Sequence, residues 1–126
     1  MTASENKALV ERYLSDVSGH AKPRDLLERY VSSEGLIEHV LDIEAGFPGY
    51  ELDVLELVAE GDTVACRLLF RGIHRGDFHG IEATGREATM SVCAFYEIQK
   101  GRIADAWVLA DGASLIEQLT ADESDG

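Results

Sequence analysis

The chain has 126 residues, of which 45% are hydrophobic, and this is enough apolar mass for one domain with a buried core. Its 24 acidic and 11 basic side chains give a formal net charge of −13, which repels phosphate backbones and anionic lipid surfaces. We therefore expect neither nucleic acid nor a membrane as a partner. No apolar run approaches the roughly 20 residues of a membrane span, and the start MTASENKALVERYL lacks the basic and apolar regions of a signal peptide, so we expect a cytoplasmic protein.

Three amphipathic helices are predicted before residue 50. Thr2 and Glu5 have the spacing of a capping box, Pro23 suits the first position of a second helix, and Ser33 can cap a third. The GFPG stretch at 46–49 should end the third helix, because proline and glycine there cannot continue it. The apolar residues at helical spacing are Leu9, Val10, Tyr13, Leu14 and Val17, then Leu26, Leu27, Tyr30 and Val31, then Leu36, Ile37, Val40 and Leu41.

Four antiparallel strands are predicted from residue 50 onward, over YELDVLELVAE, TVACRLLFRGIH, EATMSVCAFYEIQ and RIADAWVLA. Asp111 should then cap a short helix with Leu115, Ile116 and Leu119 facing inward. We expect residues 120–126 to be a frayed acidic tail. Helices followed by strands indicate an α+β fold in a single domain over residues 1–126, with helices covering one face of a curved sheet that can enclose a pocket.

The stretch GIHRGDFHGIEATGR at 72–86 is a long connection with two histidines and four glycines. It lacks lysine and leads into a strand, so it does not fit a phosphate-binding loop. His74 and His79 could form a metal site with His39 or His20, but no group has a recognised ligand spacing, and we expect neither a metal nor another cofactor. Cys66 and Cys93 also lack metal or redox spacing and should be reduced core residues.

His74 differs from His79, because alternation along the second strand places it on the apolar face. That face also carries Val64, Cys66, Leu68 and Phe70. Two interpretations of His74 stay open: a hydrogen-bonded core residue, or a proton carrier at the mouth of a pocket.

Several of these segments together resemble the SnoaL-like polyketide cyclases of the nuclear-transport-factor-2-like superfamily. They are EGDTVACRLLFRGIHRGDFHGIEATGREATM, YEIQKGRIADAW, the aspartate at 111 and LIEQL, and the similarity runs from about residue 6 to residue 119. The resemblance implies a cone-shaped, strongly curved, mostly antiparallel sheet wrapped on the N-terminal helices. It also implies an enclosed apolar pocket, and commonly a homodimer.

Family members that close rings by an intramolecular aldol reaction use an aspartate on the last strand and a nearby histidine. Aligned without gaps, these positions are Val108 and Ala94 here, so the resemblance implies that the aldol pair is absent. If both face the pocket, alternation places Met90, Val92, Tyr96, Ala104, Ala106 and Ala110 there too. Such a wall would bind a hydrophobic ligand, and proton transfer would need other residues.

The candidate catalytic residues are therefore His74, Asp111 and Tyr96. Asp111 resembles the family's aspartate after the last strand and is either an acid/base or a helix cap. Tyr96 can orient a substrate oxygen or simply satisfy its own hydroxyl. Tyr13 and His39 lie on helices that should close the pocket, where each either contacts the ligand or packs.

Two functions remain open on the sequence. The first is an enzyme that cyclises, isomerises or dehydrates a hydrophobic polyketide-like or terpenoid-like substrate by acid/base catalysis. The alternative is a protein that binds an apolar small molecule without chemistry. Epoxide opening, as in the limonene-epoxide-hydrolase branch, needs two aspartates and an arginine in the pocket, which the predicted wall does not supply.

The opposite face of the last two strands carries Cys93, Phe95, Trp107 and Leu109. This is a larger apolar surface than a monomer usually exposes. We therefore expect a homodimer that buries this face around Trp107.

Overall fold

The computed structural model describes residues 2–121, so the predicted acidic tail lies outside the described residues from position 122 onward. Within this range the chain forms, in order, α1 (Ala3–Val17), α2 (Arg24–Tyr30), α3 (Glu34–Gly46), β1 (Glu51–Glu60), β2 (Thr63–Ile73), β3 (Glu87–Gln99), β4 (Arg102–Ala110) and α4 (Gly112–Thr120). Thr120, predicted to begin the tail, belongs to α4 instead. The element order confirms the predicted α+β fold.

The helix starts follow their capping side chains. Thr2 and Glu5 form the predicted capping box, each side chain accepting the other's backbone N–H at 3.1 Å. Ser33 Oγ accepts the N–H of Leu36 at 3.2 Å and caps α3. The prediction that Pro23 is the first residue of α2 is wrong by one position. Its backbone is extended, with ψ 153°, and makes it the N-cap that precedes the helix.

The sheet is open and curved, with the strands in the order β1-β2-β3-β4 and every neighbouring pair antiparallel. Its alternation is interrupted at a bulge in β4, where Asp105 pairs with Glu97 but Ile103 pairs with Ile98. Ala104 is the extra residue. The prediction that alternation carries Ala104 to the pocket wall is therefore wrong, and Ile103 points into the core instead, fully buried.

The core lies between the concave face of the sheet and the helices. From α1 it receives the predicted apolar stripe, Leu9, Val10, Tyr13, Leu14 and Val17. The chain after α2 reaches the edge of the sheet formed by β4, where Val31 forms an isolated parallel bridge with Ile103. Helices α1 and α3 thereby face the inner surface of the strands. No helix within residues 2–121 is long and apolar enough to cross a membrane.

Candidate functional site

A cavity of about 70 Å³ lies between the concave face of the sheet and helices α1 and α3. Its lining residues are Tyr13, Leu36, His39, Val40, Ile43, Tyr50, Leu52, Leu68, Phe70, Met90, Val92, Tyr96, Val108 and Ala110. No Asp, Glu, Lys or Arg is among them. The cavity is thus an apolar space whose polar groups are one imidazole and three phenols.

The three phenols come from separate parts of the fold. Tyr13 lies on α1, Tyr96 on β3, and Tyr50 in the short turn between α3 and β1. The rings of Tyr13 and Tyr96 meet edge to face, with their centroids 6.2 Å apart. Tyr50 packs on Phe70, with a centroid distance of 5.1 Å. Each ring is nearly completely buried, so the positions of the hydroxyl groups are set by packing.

Burial also sets the protonation of these groups. It raises the pKa of Tyr13, Tyr50 and Tyr96 well above the ordinary value of a phenol, because the charged form would lose its hydration. Burial likewise raises the pKa of the Cys66 thiol to about 11. The neighbouring Tyr96 hydroxyl partly offsets the effect of burial on the pKa of this thiol. Near neutral pH all three tyrosines are therefore uncharged hydrogen-bond donors.

His39 lies at the boundary between the cavity and solvent. It lines the cavity and also an adjoining groove of about 240 Å³. Leu36 and Val108 line both spaces as well, so these three side chains form the wall between them. A ligand of drug size needs about 300–1,000 Å³, so it would have to displace this wall to occupy the cavity. His39 itself is exposed, so its imidazole is in contact with solvent.

The predicted substrate-binding residues divide into two groups. Met90, Val92 and Val108 line the cavity, together with Tyr13 and His39. The other two do not. Ala94 is buried in the core without lining the cavity, and Ala106 lines the adjoining groove only.

His74 is fully buried but lies outside the cavity lining. It stacks on Phe47 with a centroid distance of 5.3 Å, and Phe47 in turn contacts Phe70 of the cavity wall. Its Nδ1 accepts the backbone N–H of Thr84 at 3.2 Å and lies 3.0 Å from the Thr84 hydroxyl. Its Nε2 has no hydrogen-bond partner within the described residues. The structure thus places His74 one layer behind the cavity, where it joins the two ends of the loop at 74–86.

The loop at 74–86 docks on the C-terminal end of α3. The backbone N–H groups of Arg75 and Gly76 donate to the carbonyl oxygen of Gly46 at 3.0 and 3.1 Å. A Cβ on Gly76 would lie 2.1 Å from the carbonyl oxygen of Ala45, so only glycine fits this contact. His79 is exposed and lies 3.2 Å from an Asp42 carboxylate oxygen. Gly76 and His79 therefore attach the loop to α3.

Asp111 lies just after β4 and is exposed. Its carboxylate accepts the backbone N–H of Ser114 at 3.0 Å and so caps α4, as one of the two interpretations expects. It does not line the cavity, although the preceding Ala110 does. Asp111 and His74 are thus separated from Tyr96, and the three candidate catalytic residues do not share one site.

Within residues 2–121, no group of three or more His, Cys, Asp or Glu side chains is arranged to hold a metal ion. The important residue that the sequence did not indicate is Tyr50. It follows the GFPG turn at the predicted start of a strand, and nothing in that pattern distinguishes a cavity residue from an ordinary strand residue.

The sequence profile of the SnoaL-like polyketide cyclases matches residues 3–119. No curated protein sequence matches the chain significantly. Among solved structures, TsrD from Streptomyces laurentii is 23% identical, with a TM-score of 0.80 over 97% of this chain and 99% of that one. IdmH from Streptomyces antibioticus is 24% identical, with a TM-score of 0.70 over 94% and 99% of the two chains.

A SnoaL-like polyketide cyclase from Agrobacterium tumefaciens is also similar in structure. It is 21% identical, with a TM-score of 0.73 over 94% of this chain and 98% of that one. At these identities the likenesses establish the fold, while the chemistry must be argued from the side chains of this chain.

Proposed function

Because this chain belongs to the SnoaL-like polyketide cyclase family, we propose that it is a cyclase- or isomerase-type enzyme that moves a proton on a hydrophobic polyketide-like or terpenoid-like molecule. The observation that carries the proposal is the content of the cavity. Its lining is apolar except for one imidazole at the solvent boundary and three uncharged phenols.

The proposal assigns the proton transfer to His39. It is the only lining side chain that commonly both gives and takes a proton near neutral pH, and it faces the groove through which a substrate would enter. His74 and Asp111 are not assigned this role, because neither lines the cavity. Tyr96 lines it, but burial raises the pKa of its phenol so far that the group does not take up and release a proton near neutral pH.

The reaction follows from these positions. The imidazole removes a proton from carbon next to a substrate carbonyl, and the negative charge moves to the carbonyl oxygen. A phenol that donates a hydrogen bond to this oxygen stabilises the enolate as it forms. The carbanion then either attacks a second carbonyl of the same chain, which closes a ring and leaves an alkoxide that takes the proton from the imidazolium, or takes that proton back from the imidazolium at another carbon, which isomerises the substrate. The apolar wall favours the folded, reactive conformation of a hydrophobic chain.

The test is proton exchange, because it does not require the natural substrate. Uncharged aromatic ketones with an enolisable C–H group are incubated with the protein in D₂O, and deuterium incorporation is followed by NMR. We expect exchange above the buffer rate, a loss of about 10²-fold or more in His39→Ala, and no loss after exhaustive chelation.

Asp111→Asn is the matched control, since asparagine caps a helix about as well as aspartate and the residue lies outside the cavity. Its exchange rate should equal that of the unmodified protein. Binding of a ketone without any exchange would contradict the enzymatic proposal and favour the binding protein. Full exchange by His39→Ala would contradict the assignment of the base.

A further inference from the structure

We propose that the cavity contains a binding site for an uncharged ligand oxygen, such as a ketone or enol oxygen, formed by the hydroxyl groups of Tyr13 and Tyr50. The inference rests on the proposed function in placing the substrate in this cavity. It goes further by stating which part of the molecule is recognised and which class of ligand is rejected.

The two phenols that form the proposed site have no hydrogen-bond partner in the part of the chain that the structure describes. Tyr13 and Tyr50 are nearly completely buried and line the cavity, yet within residues 2–121 neither hydroxyl makes a hydrogen bond to the protein. The hydroxyl of Tyr30, in contrast, is hydrogen-bonded to Asp16. The donors of Tyr13 and Tyr50 therefore remain available on the cavity wall, where a ligand in the cavity can supply the acceptor.

Packing holds the rings of Tyr13 and Tyr50 in fixed positions. The Tyr13 ring packs edge to face on Tyr96, and the Tyr50 ring lies between Phe70, at 5.1 Å, and the ammonium of Lys22, 3.9 Å from the ring centroid. Neither ring can turn away without disturbing the core. The donors are therefore held in place before a ligand arrives, which reduces the loss of conformational freedom on binding.

The charges around the cavity favour a neutral ligand over an anion. Within residues 2–121 no Lys or Arg side chain lines the cavity, and the chain carries a formal net charge of −13. A carboxylate placed against the Tyr13 and Tyr50 hydroxyls would lose its hydration without gaining an ion pair from either phenol. A neutral carbonyl oxygen loses much less hydration free energy than a carboxylate when it moves from water into the cavity. It also has two lone pairs, so it can accept hydrogen bonds from two phenols. The remaining wall is aliphatic and aromatic, which fits an otherwise apolar ligand.

Three probes of similar shape separate the contribution of the ligand oxygen from that of the ligand charge: acetophenone, α-methylstyrene and benzoate. Acetophenone offers a neutral oxygen, α-methylstyrene replaces that oxygen by carbon, and benzoate carries a charge. We expect acetophenone to bind more tightly than α-methylstyrene by about three- to tenfold per hydrogen bond, and benzoate to bind least. The carbonyl stretching band of bound acetophenone should lie at lower wavenumber than in hexane, because hydrogen bonding weakens the C=O bond.

Tyr13→Phe and Tyr50→Phe keep the rings and remove one donor each. Each variant should weaken acetophenone binding by about three- to tenfold, move the carbonyl band back toward its hexane position, and leave α-methylstyrene binding unchanged. Tyr30→Phe is the control, since it removes a hydroxyl that faces Asp16 and does not line the cavity.

Benzoate binding as tightly as acetophenone, no advantage of acetophenone over α-methylstyrene, or no binding of any probe would overturn the inference. A carbonyl band of bound acetophenone that stays unchanged in both Tyr13→Phe and Tyr50→Phe would also overturn it. The three-probe comparison on the unmodified protein stands even if a variant fails to fold. Binding and infrared readouts need no turnover, so ketone recognition without proton exchange would reject the proposed function and keep this site.

Discussion

The ammonium nitrogen of Lys22 lies 3.9 Å from the centre of the Tyr50 ring and donates a hydrogen bond to the Tyr50 carbonyl oxygen at 3.0 Å. It also donates to the carbonyl oxygen of His20 at 2.8 Å and to Glu44 at 3.1 Å. The Glu44 carboxylate accepts the N–H of Gly49 with both oxygens, each at 3.0 Å. An ion pair between the buried Lys22 and the partly buried Glu44, outside the cavity, thus fixes the turn that carries one of the cavity's phenols.

Lys22→Met should be strongly destabilising. The Lys22 side chain has no exposed surface, and burial lowers its pKa, an effect that the Glu44 carboxylate partly offsets. Removing the amine leaves the Glu44 carboxylate without its ion-pair partner and takes one hydrogen bond from each of the His20 and Tyr50 carbonyl oxygens, and the loss of one member of a buried pair typically costs about 3 kcal/mol. We expect a loss of this size in urea unfolding. Arg24→Met, which breaks the exposed pair of Arg24 with Glu34, should change the free energy of unfolding by under about 1 kcal/mol. Equal losses in the two variants would contradict this role of Lys22.

The fold was largely predictable because its signals are local. Capping side chains and apolar residues at helical spacing identify the helices, and alternation identifies strands such as β2, whose buried residues are the predicted ones. The extra residue at Ala104 was not predictable, since nothing in RIADAWVLA distinguishes a bulged strand from a regular one. Alternation therefore places the β4 residues that follow the bulge on the correct face of the sheet and those that precede it on the wrong face.

The site was only partly predictable, because long-range contacts decide it. The buried Lys22 lies in the sequence GHAKP and looks like an exposed turn lysine until α3 and Tyr50 close around it. His74 has the alternation of a cavity residue, but Phe47 lies between it and Phe70 of the cavity wall. Alternation along a strand places a side chain on one face of the sheet, whereas the packing of distant residues decides whether that side chain reaches the cavity.

Gly76→Ala should destabilise the protein through the contact between the loop and α3. An added methyl group would lie 2.1 Å from the Ala45 carbonyl oxygen, so the backbone must move and the hydrogen bonds to Gly46 must lengthen. Overpacking of this kind costs about 1–3 kcal/mol. Gly35→Ala is the matched control, because its nearest contact would be 3.9 Å away and alanine favours a helix by up to about 1 kcal/mol. Thermal unfolding of both variants measures the difference, and a stable Gly76→Ala protein would mean that the loop does not need this close approach.

The buried phenols predict a loss of stability in alkaline solution. The folded pKa values of Tyr13, Tyr50 and Tyr96 lie above the unfolded value of about 10, so the folded state keeps protons that the unfolded chain releases. Their contribution to the free energy of unfolding is complete below about pH 10 and is lost as the pH rises further. Tyr30 is shifted in the same direction, chiefly by its hydrogen bond to Asp16.

We therefore expect the ultraviolet absorbance of tyrosinate to appear together with unfolding, not before it, when the pH is raised above about 10. The urea midpoint should fall over the same range, and it should fall less steeply in Tyr13→Phe. A native protein that develops the full tyrosinate absorbance near pH 10 while its circular dichroism stays unchanged would contradict the burial of these phenols.

The convex face of the sheet carries one apolar row across all four strands. In register across the sheet, Val58 pairs with Ala65, Ala65 with Phe95, and Phe95 with Trp107. The rings of Phe95 and Trp107 meet edge to face at 5.7 Å, yet they remain 46% and 57% exposed. Leu109, in the next row, is 60% exposed. These exposures agree with the assignment of faces made from the sequence.

Trp107→Glu should convert a dimer into a monomer or an aggregate. The helices pack on the concave side, so a second copy related by a two-fold axis is the simplest cover for the convex row, and large aromatic residues at the centre of an interface contribute most to association. We expect light scattering to give a dimer at micromolar concentration for the unmodified protein and a loss of that dimer in Trp107→Glu. Ala113→Glu adds the same charge at an exposed position of α4 and should leave association unchanged. An unmodified protein that scatters as a monomer, or a Trp107→Glu variant with undiminished dimer affinity, would mean that some contact other than this row decides the oligomeric state.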